Sequence, residues 1–425
     1  MGPRESIFLN LIMREPTMKR QPFGQTVRPQ ALGALLLCGV SLSAAGAQAI
    51  DCRPAPSAIA SSREDPATVC RLLSALAADS MEGRATGSIG ARRASRFIAE
   101  QFRAAGLEPA GDSGYFQRVP LVRTQGSDVN VIGRLRGSDP KLKDSVVLVD
   151  AHFDHLGLAP SPVDVDSMLA WQALVAPIRA EREAWLKSSG LAARAERGSR
   201  QMTDDERKTM TSFSTRMAAV TVNMDSIRRL HPNPRRDSVF NGADDDASGV
   251  VAVMEIARRL AAGGGPRPKR TIIFMATTGE EVGLVGTNWY IQHPAVPNSA
   301  LVANLEIEMI GRPDSLSGGR GRAWLTGFER STMGEMFAAA GLPIVPDKRP
   351  GQSFFARSDN IAFARMGIPA HTFSSFNLHT DYHQVTDDVS AVDFEHMAAV
   401  IDAAVKAVDL LANGPAPVWK PGGKP

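Results

Sequence analysis

The chain has 425 residues, 43% hydrophobic and 22% charged, with a formal net charge of +3. That is enough apolar material for one large domain or two smaller ones with a full core. The small net charge and the absence of any block of like charge argue against nucleic acid as the main partner.

Residues 1–17 resemble neither a domain nor a targeting segment, and Met13 and Met18 are alternative starts. From Met18 a basic stretch, MKRQPFGQTVRPQ, precedes the apolar ALGALLLCGVSLSAAGA and the step Ala47-Gln48-Ala49, which are the parts of a cleaved secretory signal peptide. The apolar run is short and broken by Gly and Ser, which disfavours a membrane span. The expected organisation is an extension and signal over 1–49 and one domain over 50–425, exported to the periplasm or the medium without stable membrane insertion. Cleavage removes Cys38 and leaves Cys52 and Cys70, an expected disulfide worth roughly 3 kcal/mol for a loop of this length.

Apolar residues at helical spacing, Val69, Leu72, Leu73 and Leu76, then Ala91, Ala94, Phe97, Ile98 and Phe102, predict two helices between Pro66 and Leu107. The turn GRATGSIGARR between them is glycine-rich. No strand precedes it and no GK[ST] follows, which removes the phosphate-loop explanation. Strand-like runs follow: VNVIGRL near Val129, SVVLVDA (145–151), TIIFMATT (271–278), LVANLEIEMIG (301–311) and IPAHTFSS (368–375). Helical patterns at Ala247–Ala262 and Asp393–Asn413 alternate with them. Continuous apolar strands between amphipathic helices predict an α/β fold: a three-layer sandwich whose central, mostly parallel mixed sheet is flanked by helices.

One segment breaks that rhythm. Residues at about 160–236 carry one helical stripe, Trp171, Val175, Ile178, Arg182 and Trp185, and a second, Met210, Phe213, Met217, Met224 and Ile227. The expectation is a helical insertion between two core strands, either a stabilising excursion or a lid.

Chemistry-bearing residues recur at or just beyond the ends of the strand runs: His152 and Asp154, Glu280 and Glu281, Glu306 and Glu308, His379 and His383. In open α/β sheets that edge binds ligands. The stretch NGADDDASG adds Asp244, Asp245 and Asp246 at a helix start. Singly these are a helix cap, a solvated turn or a hydrogen-bonded histidine. Together, imidazoles and carboxylates without thiolates suit an open catalytic metal site and not a zinc finger. Two metals roughly 3.5–4 Å apart need a bridging carboxylate, which a short rigid loop can hold. Adjacent glutamates can divide ligand and base roles.

HFD, GADDDASGV, GEEVGLVG, NLEIEMIGR and DYHQVTDD, in this order, resemble the co-catalytic zinc exopeptidases that include bacterial leucyl-type aminopeptidases, glutamate carboxypeptidase and glutaminyl cyclases. MEGRATGSIGARRA and RSDNIAFARMGIPA extend the likeness over nearly all of residues 66–412 except the insertion. The resemblance implies a metallo-exopeptidase acting on peptides with two Zn2+ per chain: His152 and Glu308 on one, Glu281 and His383 on the other, Asp245 bridging. It further implies Glu280 as general base and later acid, Asp154 accepting a hydrogen bond from His152 and orienting it, and Tyr382 stabilising the tetrahedral oxyanion. Two departures stand out. Glu308 occupies a place where Asp is usual, with Glu306 as its rival, and the insertion hides the rim of the pocket. His155 and His379 are expected as support or rim residues. Aminopeptidase is the implied activity. The alternatives are a carboxypeptidase or dipeptidase, a one-zinc glutaminyl cyclase, and a binding protein that has lost catalysis.

Overall fold

The computed structural model describes Cys52 and residues 64–122, 125–191, 194, 202–262 and 266–425. The expected signal peptide lies outside them, as does the tip of the insertion near Gly198.

Two helices lead in, α1 (Pro66–Leu76) and α2 (Ile89–Ala104). The Asp65 carboxylate accepts from the backbone N–H groups of Ala67 and Thr68, and the Ser88 hydroxyl from that of Ala91, so both helices start on side-chain caps. The Cys52–Cys70 disulfide, with Cα atoms 5.5 Å apart, ties the chain ahead of α1 to that helix.

Strands β1 (Glu108–Pro109), β2 (Phe116–Leu121), β3 (Gly126–Leu135) and β4 (Val146–His152) follow. Next come β5 (Gly157–Asp164), α3 (Val165–Ser189), α4 (Asp204–Ala218), α5 (Met224–Leu230) and β6 (Arg236–Phe240). The remainder is α6 (Gly249–Ala262), β7 (Thr271–Thr277), α7 (Val285–Gln292), β8 (Leu301–Glu308), β9 (Ala323–Leu325), α8 (Met333–Ala339), β10 (Ile344–Pro346), α9 (Asn360–Met366), β11 (Ala370–Ser374) and α10 (Phe394–Asn413).

Among the described residues nine strands make one sheet in the order β1-β3-β7-β4-β8-β11-β9-β10, with β2 paired to β3. The four central strands β7, β4, β8 and β11 run parallel. The pairs β1–β3, β2–β3, β3–β7 and β11–β9 are antiparallel. Every residue of β4 and β7 is buried, which is why both read as unbroken apolar runs instead of alternating ones. One face of the sheet packs on α1, α2, α6 and α10 through residues such as Leu73, Phe102, Val251 and Ile401. The other packs on α7 and α9 through Tyr290, Ile361 and Phe363. The result is the three-layer α/β sandwich expected from the sequence.

The insertion is bracketed by an antiparallel β5–β6 ladder. Trp171, Val175, Phe213 and Met217 pack α3 against α4 in a small core of their own. The second predicted stripe does not run through. The α4 helix stops at Ala218, Met224 is 42% exposed at the start of the separate α5, and Val220 and Val222 fill the contact instead. No helix among the described residues is long and apolar enough to cross a membrane.

Candidate metal centre

Because β4, β7, β8 and β11 are parallel, their C-terminal ends share one edge. His152 is the last residue of β4 and Glu308 the last of β8; Glu280 and Glu281 follow β7, and His383 lies in the loop after β11. The stretch 241–248 between β6 and α6 brings Asp245 over the same edge. Its two oxygens face different imidazoles: Oδ1 is 3.3 Å from His152 Nε2, and Oδ2 is 3.1 Å from His383 Nε2. Glu281 Oε1 is 3.2 Å from His383 Nε2 and 3.0 Å from His155 Nδ1. Two groups of potential ligands emerge, His152–Asp245–Glu308 and His155–Asp245–Glu281, each with its donor atoms within 4.8 Å of one another.

The donor set fits divalent cations. His152 Nε2, both nitrogens of His155, Glu281 Oε1 and His383 Nε2 are buried without a hydrogen-bond partner. Each such group left unsatisfied costs roughly 1–3 kcal/mol, so their convergence on one space points to an occupant that accepts lone pairs. Charge tells the same story. Burial opposes ionisation of Asp245, yet the neighbouring His152 and His383 imidazoles hold its carboxyl well below the usual range. Burial likewise opposes the charge on Glu281 and on His383, but their attraction brings Glu281 down to about 2 and His383 up to about 10. Glu308, away from that pair, is pushed up to about 7 by burial. Without a cation, His152 and His383 carry the positive charge that these carboxylates favour.

The loop carrying Asp245 is tied down on every side. Asp387 accepts from the Asp244 and Asp245 N–H groups at 3.1 and 3.0 Å, and its carbonyl accepts from Ala243 N–H at 3.0 Å. Asp246 Oδ1 accepts from the N–H groups of Gly249, which starts α6, and Met309, which follows β8. Asp244 Oδ1 accepts from Gly311 N–H at 2.6 Å, and its Oδ2 lies 3.0 Å from His379 Nε2. Of the three carboxylates, Asp245 is the one whose oxygens meet His152 and His383, while Asp244 and Asp246 brace the loop.

Behind the loop stands a fully buried arginine. Arg84 donates to the carbonyls of Phe153 (2.7 Å), Leu76 (3.1 Å), Asn241 (2.6 Å) and Gly242 (2.9 Å). It clamps the end of β4 to the Asp245 loop, which is what the MEGRATGS turn is for. His152 Nδ1 lies 3.1 Å from the Asp154 carbonyl, whereas the Asp154 carboxylate is 3.8 Å away. That carboxylate accepts from the Glu280 N–H at 3.1 Å and the Thr86 hydroxyl at 2.8 Å. Asp154 thus orients His152 through its backbone and Glu280 through its side chain. Burial pushes the Glu280 carboxyl up, with Glu281 and Glu308 adding repulsion. The Tyr382 ring stacks on His383 with centroids 3.9 Å apart, and burial, reinforced by Asp245, raises its hydroxyl.

The two glutamates of β8 differ in the donors around them. Glu306 accepts from the Ser358 and Thr372 hydroxyls and the N–H groups of Asp359 and Asn360, a saturated carboxylate turned away from the ligand set. Glu308 joins His152 and Asp245. The sequence pairs His155 with His379, but the structure separates them: His379 supports Asp244, while His155 enters the ligand cluster. Arg84 lies in MEGRATGSIGARRA and Asp387 in DYHQVTDD, yet both act on backbone groups, which residue spacing does not reveal. His155 had a visible signal in HFDH.

Residues 219–408 match the sequence model of Peptidase family M28. Over 77 residues the chain is 39% identical to a protein named "Probable zinc metalloprotease" from Pyrenophora tritici-repentis (strain Pt-1C-BFP), covering 18% of this chain and 17% of that one. Over 51 residues it is 51% identical to a protein of the same name from Pyricularia oryzae (strain 70-15), covering 12% and 10%. The matched stretches thus span under a fifth of these curated relatives. In fold, the chain is similar to an aminopeptidase from Aneurinibacillus sp. strain AM-1, with TM-score 0.51, 13% identity and coverage of 84% and 97%. It is also similar to BSAP, a zinc aminopeptidase from Bacillus subtilis, with TM-score 0.50, 12% identity and coverage of 82% and 95%.

Proposed function

We propose that this chain, whose residues 219–408 match Peptidase family M28, is an exported, zinc-dependent aminopeptidase that removes N-terminal residues from peptides. The observation that carries this is the pair of imidazole–carboxylate groups sharing the two oxygens of Asp245. His152, Asp245 and Glu308 would hold one zinc, and Glu281, His383 and Asp245 the other. Bound there, the ions would supply Lewis-acid polarisation of the scissile carbonyl and lower the pKa of a water.

The chain's own residues do the rest. Glu280, held by the Asp154 carboxylate through its N–H, takes the proton of the attacking water and delivers it to the leaving amine. Its burial favours the proton-carrying form that this second step needs. The Tyr382 hydroxyl donates to the developing oxyanion from a ring fixed by stacking on His383 and packing on Phe376. Asp387 and Arg84 hold the Asp245 loop so that none of these groups has to be rearranged during turnover.

Export is part of the same proposal. The signal-like segment before Asp51 and the Cys52–Cys70 disulfide both fit an oxidising compartment. The amino-end preference is the finer part, supported by the shared fold of the two aminopeptidases above. Profiling the products of a peptide library tests it. Release of single N-terminal residues is expected. Release from the carboxyl end, or ring closure of N-terminal glutamine, would replace it, and no cleavage by zinc-loaded protein would end the enzyme proposal.

A further inference from the structure

We infer that His155 is a direct metal ligand, the fourth protein ligand of the ion held by Asp245, Glu281 and His383. The two positions of the centre are then unequal, one closed by protein and the other open. This rests on the proposal that the centre binds two divalent ions, and adds to it a residue and an asymmetry.

Placement comes first. Three residues beyond His152, the chain leaves β4 and pairs briefly with the segment before α2, with Ala85 opposite His155 and the His155 N–H donating to the Arg84 carbonyl at 3.3 Å. This pairing aims a second histidine of the same strand end at the Asp245 loop. The ring packs against Gly242, where a Cβ would come within 2.6 Å of its Cγ and Cδ2. Gly242 also has φ +53°, so a side chain there is opposed both by conformation and by the imidazole. Backbone and ring are fitted to one another.

Contacts come second. His155 Nδ1 is 3.0 Å from Glu281 Oε1 and 3.7 Å from Asp245 Oδ2. His383 Nε2 is 3.2 and 3.1 Å from the same two oxygens. Two nitrogens and two oxygens from four different segments therefore face one another across a shared space. A histidine that merely supported Glu281 would hydrogen-bond to it. Instead neither His155 nitrogen, nor Glu281 Oε1, nor His383 Nε2 has a hydrogen-bond partner, although His155 is 2% exposed. Such mutually unsatisfied donors are what ligands look like around a point they all address.

Two imidazoles and two carboxylates complete a tetrahedral set, the closed arrangement of a tightly held ion. His152, Asp245 and Glu308 make only three ligands, the arrangement that keeps a fourth position for water or substrate. The substrate carbonyl is therefore addressed on the His152 side, and the His155 side serves to fix Asp245 and hold its ion.

A zinc-loaded crystal structure with anomalous scattering tests this directly, alongside zinc titration against a chromophoric chelator for wild type, His155→Ala and His155→Asn. Asparagine can still donate to Glu281 but ligates zinc poorly. Expected are a His155 Nδ1–zinc distance of about 2.0–2.1 Å and, in both variants, a loss of affinity for the tighter ion beyond the roughly 10–100-fold that removal of a supporting residue causes. The weaker ion should change less. Melting of the metal-free proteins checks that the variants fold; if they do not, the wild-type distance decides alone. Two bound ions with Nδ1 well outside bonding distance, or His155→Asn retaining both ions at wild-type affinity, overturns the inference alone. Wild-type protein that binds no zinc overturns the two-ion proposal and this inference with it.

Discussion

The strand-end centre and the inserted hairpin both draw on the chain between β4 and α6, the centre taking Glu281, Glu308 and His383 from later segments as well, and the two are held in different ways. The Asp245 loop is fixed by buried charged groups acting on backbone: Asp387 takes two successive N–H groups, and Arg84 holds four carbonyls. The hairpin is held by apolar packing within itself, in one cluster around Trp171 and Phe213 and another around Leu186 and Met210. Its ties to the body fall on the rim. Gln172 donates to the Thr380 carbonyl at 3.0 Å, Val165 and Met168 pack on Val385, and Gln352 donates to Glu183. Thr380 and Val385 flank His383 on the same loop. The contrast teaches that the position of the ligands is decided within the sandwich, whereas the hairpin touches the centre through the His383 loop, at Thr380 and Val385.

Perturbations of the two regions should therefore differ in kind. The largest effect is expected from Glu280→Gln, which leaves the ligand set intact: zinc content unchanged, kcat down about 10²–10⁴-fold as for loss of a general base, read by metal analysis and steady-state kinetics. Unchanged turnover would remove Glu280 from its role. Next, Arg84→Met leaves four buried carbonyls without their donor and should cost about 3 kcal/mol or more in denaturant unfolding, with weaker zinc binding. A loss confined to stability, with zinc affinity intact, would break the link between clamp and centre. Asp387→Asn keeps the shape but weakens the acceptor under the loop, and zinc affinity should fall about 10–100-fold in chelator competition. Smallest is Gln172→Ala on the hairpin, expected to shift KM by a few fold, under about 1 kcal/mol, with zinc affinity unchanged. A change in zinc affinity instead would show that hairpin and centre are not separable.

Much of the fold was legible because the central strands are buried on both faces and so appear as continuous apolar runs, ending in His152 or Glu308 or followed closely by Glu281. The antiparallel strands on both sides of that centre were less legible, since register and direction depend on tertiary pairing. Among the site residues, His152 and Glu308 end strands and Glu281 follows one closely, which made them recognisable together, whereas Asp245 and His383 come from loops. His155 did not separate from His379, because only the bridge to Ala85 and the glycine at 242 reveal which histidine turns inward. Glu306 and Glu308 share one face of β8, and the choice between them depends on donors from Ser358, Asp359 and Asn360 that approach from a distant segment. The second hairpin stripe failed because a helical period continues in sequence past Ala218 although the helix does not.

The central claim is that Asp245 joins the two halves of one metal centre. Zinc bound per chain after dialysis, measured side by side for wild type and Asp245→Ala with melting curves confirming that both fold, tests it most directly. Two ions in the wild type and loss of both in the variant are predicted; a folded Asp245→Ala protein that keeps both ions would contradict it.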